Sequence, residues 1–365
     1  MNSMEVANAV LTAKSFLDVN QIWYKEDFVI RHHTCFKSGG EIKLYICPKN
    51  IEGLKLAVVE IRRLGLDYKL IGFTSNIFFL DKVTYSVVIS TENLNKVVEA
   101  ADVIQVEAGY SLQELVRLAV QRQSVGYEGL EGIPGSVGGA IFMNAGAYGY
   151  DIADVLISVD CLDSEGQIQT FTKEQCDFAY RRSVFQNGMF IILRAKFKLK
   201  SGDPAVIAKN VEMYHIARHS YQEFVYPNLG SIYSVNRDFY REIFKRSLSY
   251  TIVCILLKFF FKNPASKFVA RKRPNNSIFN RLAVKYLKFR DYKPSKKSLN
   301  ILINDGQLAN VKLIRYLTVL RQNLASIPIE NEVILEPIYS IAPEYKDEYD
   351  EIVALVEKLK KVTSS

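Results

Sequence analysis

Residues Gly126–Tyr150 read GYEGLEGIPGSVGGAIFMNAGAYGY, and eight of the chain's nineteen glycines lie there: Gly126, Gly129, Gly132, Gly135, Gly138, Gly139, Gly146 and Gly149. Glycine tolerates φ > 0 and lets another group reach the main chain without a Cβ in the way. Successive N–H groups in such a loop form concave sites that cradle phosphates. Ile133-Pro134-Gly135-Ser136-Val137-Gly138-Gly139-Ala140 is placed to turn several N–H groups onto a diphosphate, and Ser136 and Asn144 add side-chain donors. Glycine density alone fits equally well a tight crossing of two backbones in a β-rich core. The spacing is not G-x-G-x-x-G after a strand, so a Rossmann site is not indicated.

Outward from this segment, ordinary periodicity resumes. Residues 1–25 read as a helical lead-in, with Val6, Val10, Leu11, Phe16 and Leu17 at rough helical spacing. Strand, helix and strand follow at 45–47, 51–64 and 68–71, ending in the turn Gly72-Phe73-Thr74-Ser75-Asn76. Strands are predicted at 85–90, 103–107, 155–162, 167–172, 178–185 and 189–200, with a helix at 112–122. Beyond Gly202-Asp203-Pro204 come a helix at 205–219, strands at 226–232, 299–304 and 332–335, a helix at 311–323 and a charged helical tail.

The 365 residues, 48% of them apolar, leave room for two or three domains. The five cysteines are scattered without C-x-x-C spacing, and the four histidines form no ligand motif, so neither a disulfide framework nor a metal site is expected. The N-terminus lacks the marks of a signal peptide, and a reducing cytoplasm is the expected home. The net charge is +8, yet residues 237–297 alone carry seventeen Lys/Arg against three Asp/Glu, or +14, which leaves −6 for the rest. One basic segment on an acidic chain argues against nucleic acid as a partner. No obligate protein partner is evident.

The exact string GIPGSVGGAIFMNAGAYG closely resembles the signature of the UDP-N-acetylenolpyruvoylglucosamine reductase family (UDP-N-acetylmuramate dehydrogenases). Short motifs in matching order extend the resemblance over roughly 28–232 and 295–336. His33-Thr34-Cys35-Phe36-Lys37-Ser38-Gly39-Gly40 is similar to an early Thr-Phe…Gly-Gly element. Gly72-Phe73-Thr74-Ser75-Asn76 resembles a Gly-x-Gly-Ser-Asn turn, with Thr74 in place of the second glycine. Tyr180-Arg181-Arg182-Ser183-Val184-Phe185 resembles Tyr-Arg-x-Ser-x-Phe, Gly230-Ser231 a Gly-Ser pair, and Asn331-Glu332-Val333 a late Glu-Val.

This resemblance implies an α+β fold, with a two-lobed FAD-binding domain of the UDP-N-acetylmuramate dehydrogenase / vanillyl-alcohol-oxidase type and a C-terminal α+β substrate-binding domain. The expected divisions are a lead-in at 1–25, lobes at 26–90 and 91–201, a substrate domain at 202–345 with an insertion at about 235–275, and a helix at 346–365. It implies non-covalent FAD held by Gly72, Thr74, Ser75, Asn76, Gly132, Ile133, Pro134, Gly135, Ser136, Gly138, Gly139, Asn144, Gly146 and Ala147. NADPH is the implied hydride donor and a UDP-sugar enolpyruvyl ether the acceptor. Arg181 would face the substrate carboxylate and developing enolate, since a guanidinium does so bidentately. Ser231 would protonate the adjacent carbon, and Glu332 would stabilise the enolate. Tyr180, Arg218 and Asn300 would serve the substrate. Taken singly, Arg181 also reads as a solvated strand-edge residue, Ser231 as a turn residue and Glu332 as a strand cap.

Several positions depart from the family pattern. Ser234 and Val235 stand where lysine and asparagine are usual, Tyr221 where a lysine is usual, Glu223 where a proline is usual and Ser298 where a histidine is usual. The flavin end reads as retained and the nucleotide-sugar end as altered. Two other readings therefore stay open: a paralogous FAD oxidoreductase acting on another nucleotide sugar in surface-polysaccharide synthesis, and a non-catalytic membrane-associated FAD-binding protein. In the insertion, Ser249–Phe261 reads SYTIVCILLKFFF. It is too short to span a bilayer. It reads foremost as a buried helix with basic ends or as degenerate sequence in a variable loop, and otherwise as a segment at 245–275 lying on an anionic membrane surface. Arg271, Lys272 and Arg273 are candidate replacements for the missing phosphate-binding cations.

Overall fold

The computed structural model describes residues 3–234, 238–262, 277–289, 292, 294–307, 309–324 and 329–361. The N-terminal helix Ser3–Val19 lays Val10, Ala13 and Leu17 against the helix Ile51–Arg63, and Leu44, Ile46, Val87 and Ile89 complete that core. The helix Ile51–Arg63 starts at Asn50, whose side chain accepts from the Gly53 N–H, and it buries Leu54, Ala57, Val58 and Ile61. It is the crossover from strand Glu41–Ile46 toward strand Val83–Ser90, which pair in parallel. Tyr24–Val29 adds to one side of this sheet and Tyr68–Ile71 to the other. The turn Gly72–Asn76 leaves the last of these and leads into the short strand Ile77–Phe79.

The second lobe is a five-stranded antiparallel sheet in the order Ile168–Thr172, Leu156–Leu162, Ile191–Lys198, Val103–Glu107, Val97–Glu99. The helix Leu112–Gln121, capped by Ser111, buries Leu112, Leu115, Val116 and Ala119 on it. Residues 178–185, expected as a strand, instead form a tight turn followed by the 3-10 helix Val184–Asn187. Asp177 and Arg181 both take positive φ, which no strand accommodates.

The helix Pro204–Tyr221 opens the C-terminal part. Strand Asn228–Ser231 then pairs with Ile301–Ile303. Helices Phe239–Phe244, Leu248–Lys262, Ser277–Tyr286 and Asn310–Leu324 surround that pair. The chain next returns to the first lobe. Glu332–Ile334 pairs in parallel with Ile77–Phe79, and Ile338–Ile341 pairs with Val83–Tyr85. The final helix Lys346–Lys361 packs on Asn310–Leu324. One core thus joins Phe36, Phe78, Phe79 and Tyr85 of the first lobe to Leu302, Leu317, Leu320 and Ile352. The insertion's apolar helix is not buried as expected: among its described side chains Cys254 alone is fully covered, while Leu248, Leu256 and Phe259 are exposed. Arg271, Lys272 and Arg273 lie outside the described residues.

Candidate active site

Two loops meet at the junction of the lobes. A Cβ on Gly135 would stand 2.9 Å from the Ser75 hydroxyl, and one on Gly72 would collide with the Ser136 hydroxyl. Gly135 has φ +134 and Gly132 φ +72, conformations that L side chains rarely adopt. Among the described residues, the backbone N–H groups of Thr74, Ser75, Asn76, Gly135 and Ser136 make no hydrogen bond. Two buried side-chain oxygens, Ser38 Oγ and Asn144 Oδ1, also lack partners among the described residues. Free N–H groups on two facing loops are what a diphosphate requires, so these residues fit the diphosphate of FAD.

Not every glycine serves that cradle. Gly138 donates its N–H to Ala108 O at 2.7 Å, and its missing Cβ lets the two backbones cross. Ser136 caps the helix Val137–Phe142 by accepting from the Gly139 N–H. Ile133 and Pro134 carry the chain from Gly132 to Gly135, with Ile133 packed on the second-lobe core. Thr74 occupies φ +57, where the family turn has glycine, and its hydroxyl accepts the Cys35 N–H at 3.0 Å.

The cradle is wired to a cleft of about 270 Å³ lined by Tyr180, Arg181, Ser231, Tyr233, Ser234, Phe239, Asn300 and Glu330. Arg181, held at φ +52, sends its guanidinium back to Asn144 O at 3.2 Å and Gly146 O at 2.9 Å. Asn144 in turn donates to Ala179 O at 3.0 Å. Ala147 sits in the small pairing of Gly146–Ala147 with Tyr150–Asp151 that shapes this edge. Ser231 ends its strand at the cleft, and its hydroxyl has no partner among the described residues.

Glu332 is not brought to this cleft. Its carboxylate pairs with Lys69, and its N–H bonds Asn76 O at 2.9 Å. Glu330 stands there instead, accepting from the Tyr180 hydroxyl at 3.0 Å and from Arg181 Nε at 3.3 Å. Sequence reading passed over Glu330. The available signal was a second carboxylate two residues before Glu332. Asn76 bonds both Glu330 O and the Asn331 amide, which fixes this strand to the cofactor loop.

The residues expected at the substrate separate. Tyr180 is on the cleft. Asn300 lines it, but both ends of its amide are taken by the Tyr233 backbone, at 2.9 and 2.6 Å, so it holds the Ser231–Ser234 segment in place. Arg218 is buried outside the cleft lining, against Gly132 and over the Tyr148 ring, with its Nε unpartnered. Tyr221 bonds the Tyr148 hydroxyl at 3.0 Å, and burial pushes the Tyr148 phenol up.

Two lobes facing each other across a glycine cradle, with a reactive cleft beside it, define a flavoprotein of the two-lobed FAD-binding class. Residues 42–172 match the FAD binding domain family. The UDP-N-acetylenolpyruvoylglucosamine reductase of Pseudothermotoga lettingae is 32% identical over 300 residues, which cover 82% of this chain and 92% of that protein. The enzyme of the same name from Lactococcus lactis subsp. cremoris is 35% identical over 204 residues, covering 56% and 68%. Among solved structures, the UDP-N-acetylenolpyruvylglucosamine reductase of Thermus caldophilus superposes with a TM-score of 0.62 at 23% identity, over 86% of this chain and 98% of that one, a likeness of fold. The chain belongs to the UDP-N-acetylenolpyruvoylglucosamine reductase family, and it is an FAD-containing oxidoreductase.

Proposed function

We propose that this chain uses NADPH to reduce the enolpyruvyl group of UDP-N-acetylenolpyruvoylglucosamine to UDP-N-acetylmuramate, in the cytoplasm, as a step of peptidoglycan precursor synthesis. The observation that carries the reading is that Arg181 and Ser231 share one cleft, with Arg181 bonded directly to the glycine segment. FAD, when bound, supplies the relay of hydride from NADPH to the substrate. The protein's own groups do the rest. Arg181 faces the substrate carboxylate and offsets the charge that develops there. Ser231 delivers a proton from its hydroxyl to the carbon beside the one that accepts hydride. A hydroxyl is a poor acid, so this step needs the strongly basic enolate opposite it.

Glu330 already accepts two hydrogen bonds, so we assign it to positioning Arg181 and Tyr180. Glu332 stands two residues beyond Glu330, at the start of the strand Glu332–Ile334. Among the described residues its carboxylate pairs with Lys69 alone, and we assign it the enolate once substrate draws it from that pair. Thr74, Ser75, Asn76, Gly132, Gly135 and Ser136 hold the diphosphate.

A second reading rests on the cleft lining. Among its described residues Arg181 is the sole cation, with Ser234 where the family has lysine. Another nucleotide sugar is the alternative acceptor. Anaerobic stopped-flow separates the two: reduced enzyme mixed with UDP-N-acetylenolpyruvoylglucosamine should regain its flavin absorbance within the turnover time. Reduction by NADPH without that recovery would move the assignment to a different acceptor.

A further inference from the structure

The helix Leu248–Lys262 reads LSYTIVCILLKFFFK. One side faces the protein: Cys254 is buried, Tyr250 stacks on Phe244 at 5.5 Å, and Leu257 packs on the same core. At 100° per residue, Leu248, Ile252, Ile255, Leu256 and Phe259 fall together on the other side. All five are exposed, Leu248 at 78% and Phe259 at 73%, and Val253 and Phe260 widen the face. A helix on a protein surface ordinarily turns charge toward water there. Over residues 248–260 this face carries none. Lys258 lies at the opposite edge, paired with Asp238.

We propose that this face lies in the interfacial layer of an anionic lipid bilayer, with the helix parallel to the surface. Its fifteen residues extend about 22 Å, short of the ~30 Å hydrocarbon core. No helix among the described residues is long and apolar enough to cross a membrane. Charge sets the choice of occupant. Lys245 and Arg246, both exposed, stand just before the helix, and the 237–297 segment carries +14 against −6 elsewhere. An acidic surface attracts such a segment, whereas a second copy would bring two strongly positive segments together. The neighbouring helix begins with Phe239, which lines the cleft beside Ser231, so docking would set the cleft's rim near the bilayer.

The test is flotation of the FAD-loaded protein with phosphatidylcholine vesicles, with and without phosphatidylglycerol. Binding is expected to the acidic vesicles and to fall as salt rises. A Leu256→Asp, Phe259→Asp double variant should lose at least about tenfold in partitioning, while its flavin spectrum and bleaching by NADPH stay unchanged. Should that variant not fold, Lys245→Glu with Arg246→Glu serves in its place, since both side chains are exposed, and it too should weaken acidic-vesicle binding. Wild-type protein that stays off acidic vesicles overturns the proposal, as does a folded double variant that floats normally. So does a dimer, seen by light scattering, that the double variant breaks while no vesicle binding is found.

Discussion

Ser231 offers the cleft a hydroxyl that no described group bonds, which is the state a proton donor needs before substrate arrives. Ser231→Ala should therefore leave NADPH-driven bleaching nearly intact and slow flavin recovery by substrate about 100-fold or more. An equal loss in both half-reactions would make the residue structural. The two glutamates separate in the same assay. Glu332→Gln should act on flavin recovery alone. Glu330→Gln should loosen Arg181 and raise KM for substrate, with a smaller effect on the limiting rate. At Thr74, a β-branched residue at φ +57 carries about 1–2 kcal/mol of strain, and its bond to the Cys35 N–H returns about 1 kcal/mol. Thr74→Val keeps the strain and loses the bond; Thr74→Gly loses both. The expected order of urea midpoints puts Val clearly below Gly and wild type. At this scale the placing of Arg181 and Ser231 on one cleft was legible because each is embedded in a motif. Asn300 was misjudged because an amide facing a cleft and an amide clamping a backbone look identical in sequence.

Among elements, the glycine segment was readable and the turn after it was not. The Phe178–Phe185 stretch has the apolar content of a strand, and nothing in its composition announces that Arg181 must take a left-handed φ to reach Asn144 O and Gly146 O. Conversely, the two readings of Gly126–Tyr150 apply at different places: Gly138 is a backbone crossing, while Gly135 faces Ser75 across the proposed cradle. Gly135→Ala should give protein that is colourless on purification, because its Cβ enters the space between the loops. Gly149→Ala, also at positive φ but with nothing within 4 Å, should retain flavin. The join between helix Pro204–Tyr221 and the segment from Ser295 is sensitive to acid. Burial opposes ionisation of Glu223, but the Val225 N–H at 2.8 Å and the Ser295 hydroxyl at 2.7 Å outweigh it and hold the carboxyl below its ordinary 4.5. A carboxyl depressed in the folded state adds stability above its unfolded pKa and loses it as pH falls through the folded one. Glu223→Gln should flatten the fall in urea midpoint between about pH 6 and pH 3; an unchanged slope would show that the carboxyl does not govern it.

For the whole molecule, the decisive feature is the return of the chain to its first lobe. Local periodicity located strand 332–334 and the final helix, but no local pattern says that Glu332–Ile334 pairs with Ile77–Phe79 more than 250 residues earlier, or that Ile338–Ile341 completes the sheet at Val83–Tyr85. Long-range pairing of this kind rests on a shared core. Here Ile352, fully buried, belongs to the same cluster as Phe78 and Tyr85, and Phe78 lies two residues past the turn Gly72–Asn76. Ile352→Ala, in the last helix, should cost about 2–5 kcal/mol. If the core is one cooperative unit, that loss is felt at the cradle, and flavin should be released at a correspondingly lower temperature. Flavin fluorescence and far-UV circular dichroism recorded in one thermal ramp make the check. The two midpoints should fall together. A variant whose helix signal melts early while flavin release keeps its wild-type midpoint would mean that the C-terminal helix is a separate unit and that the first lobe stands without it.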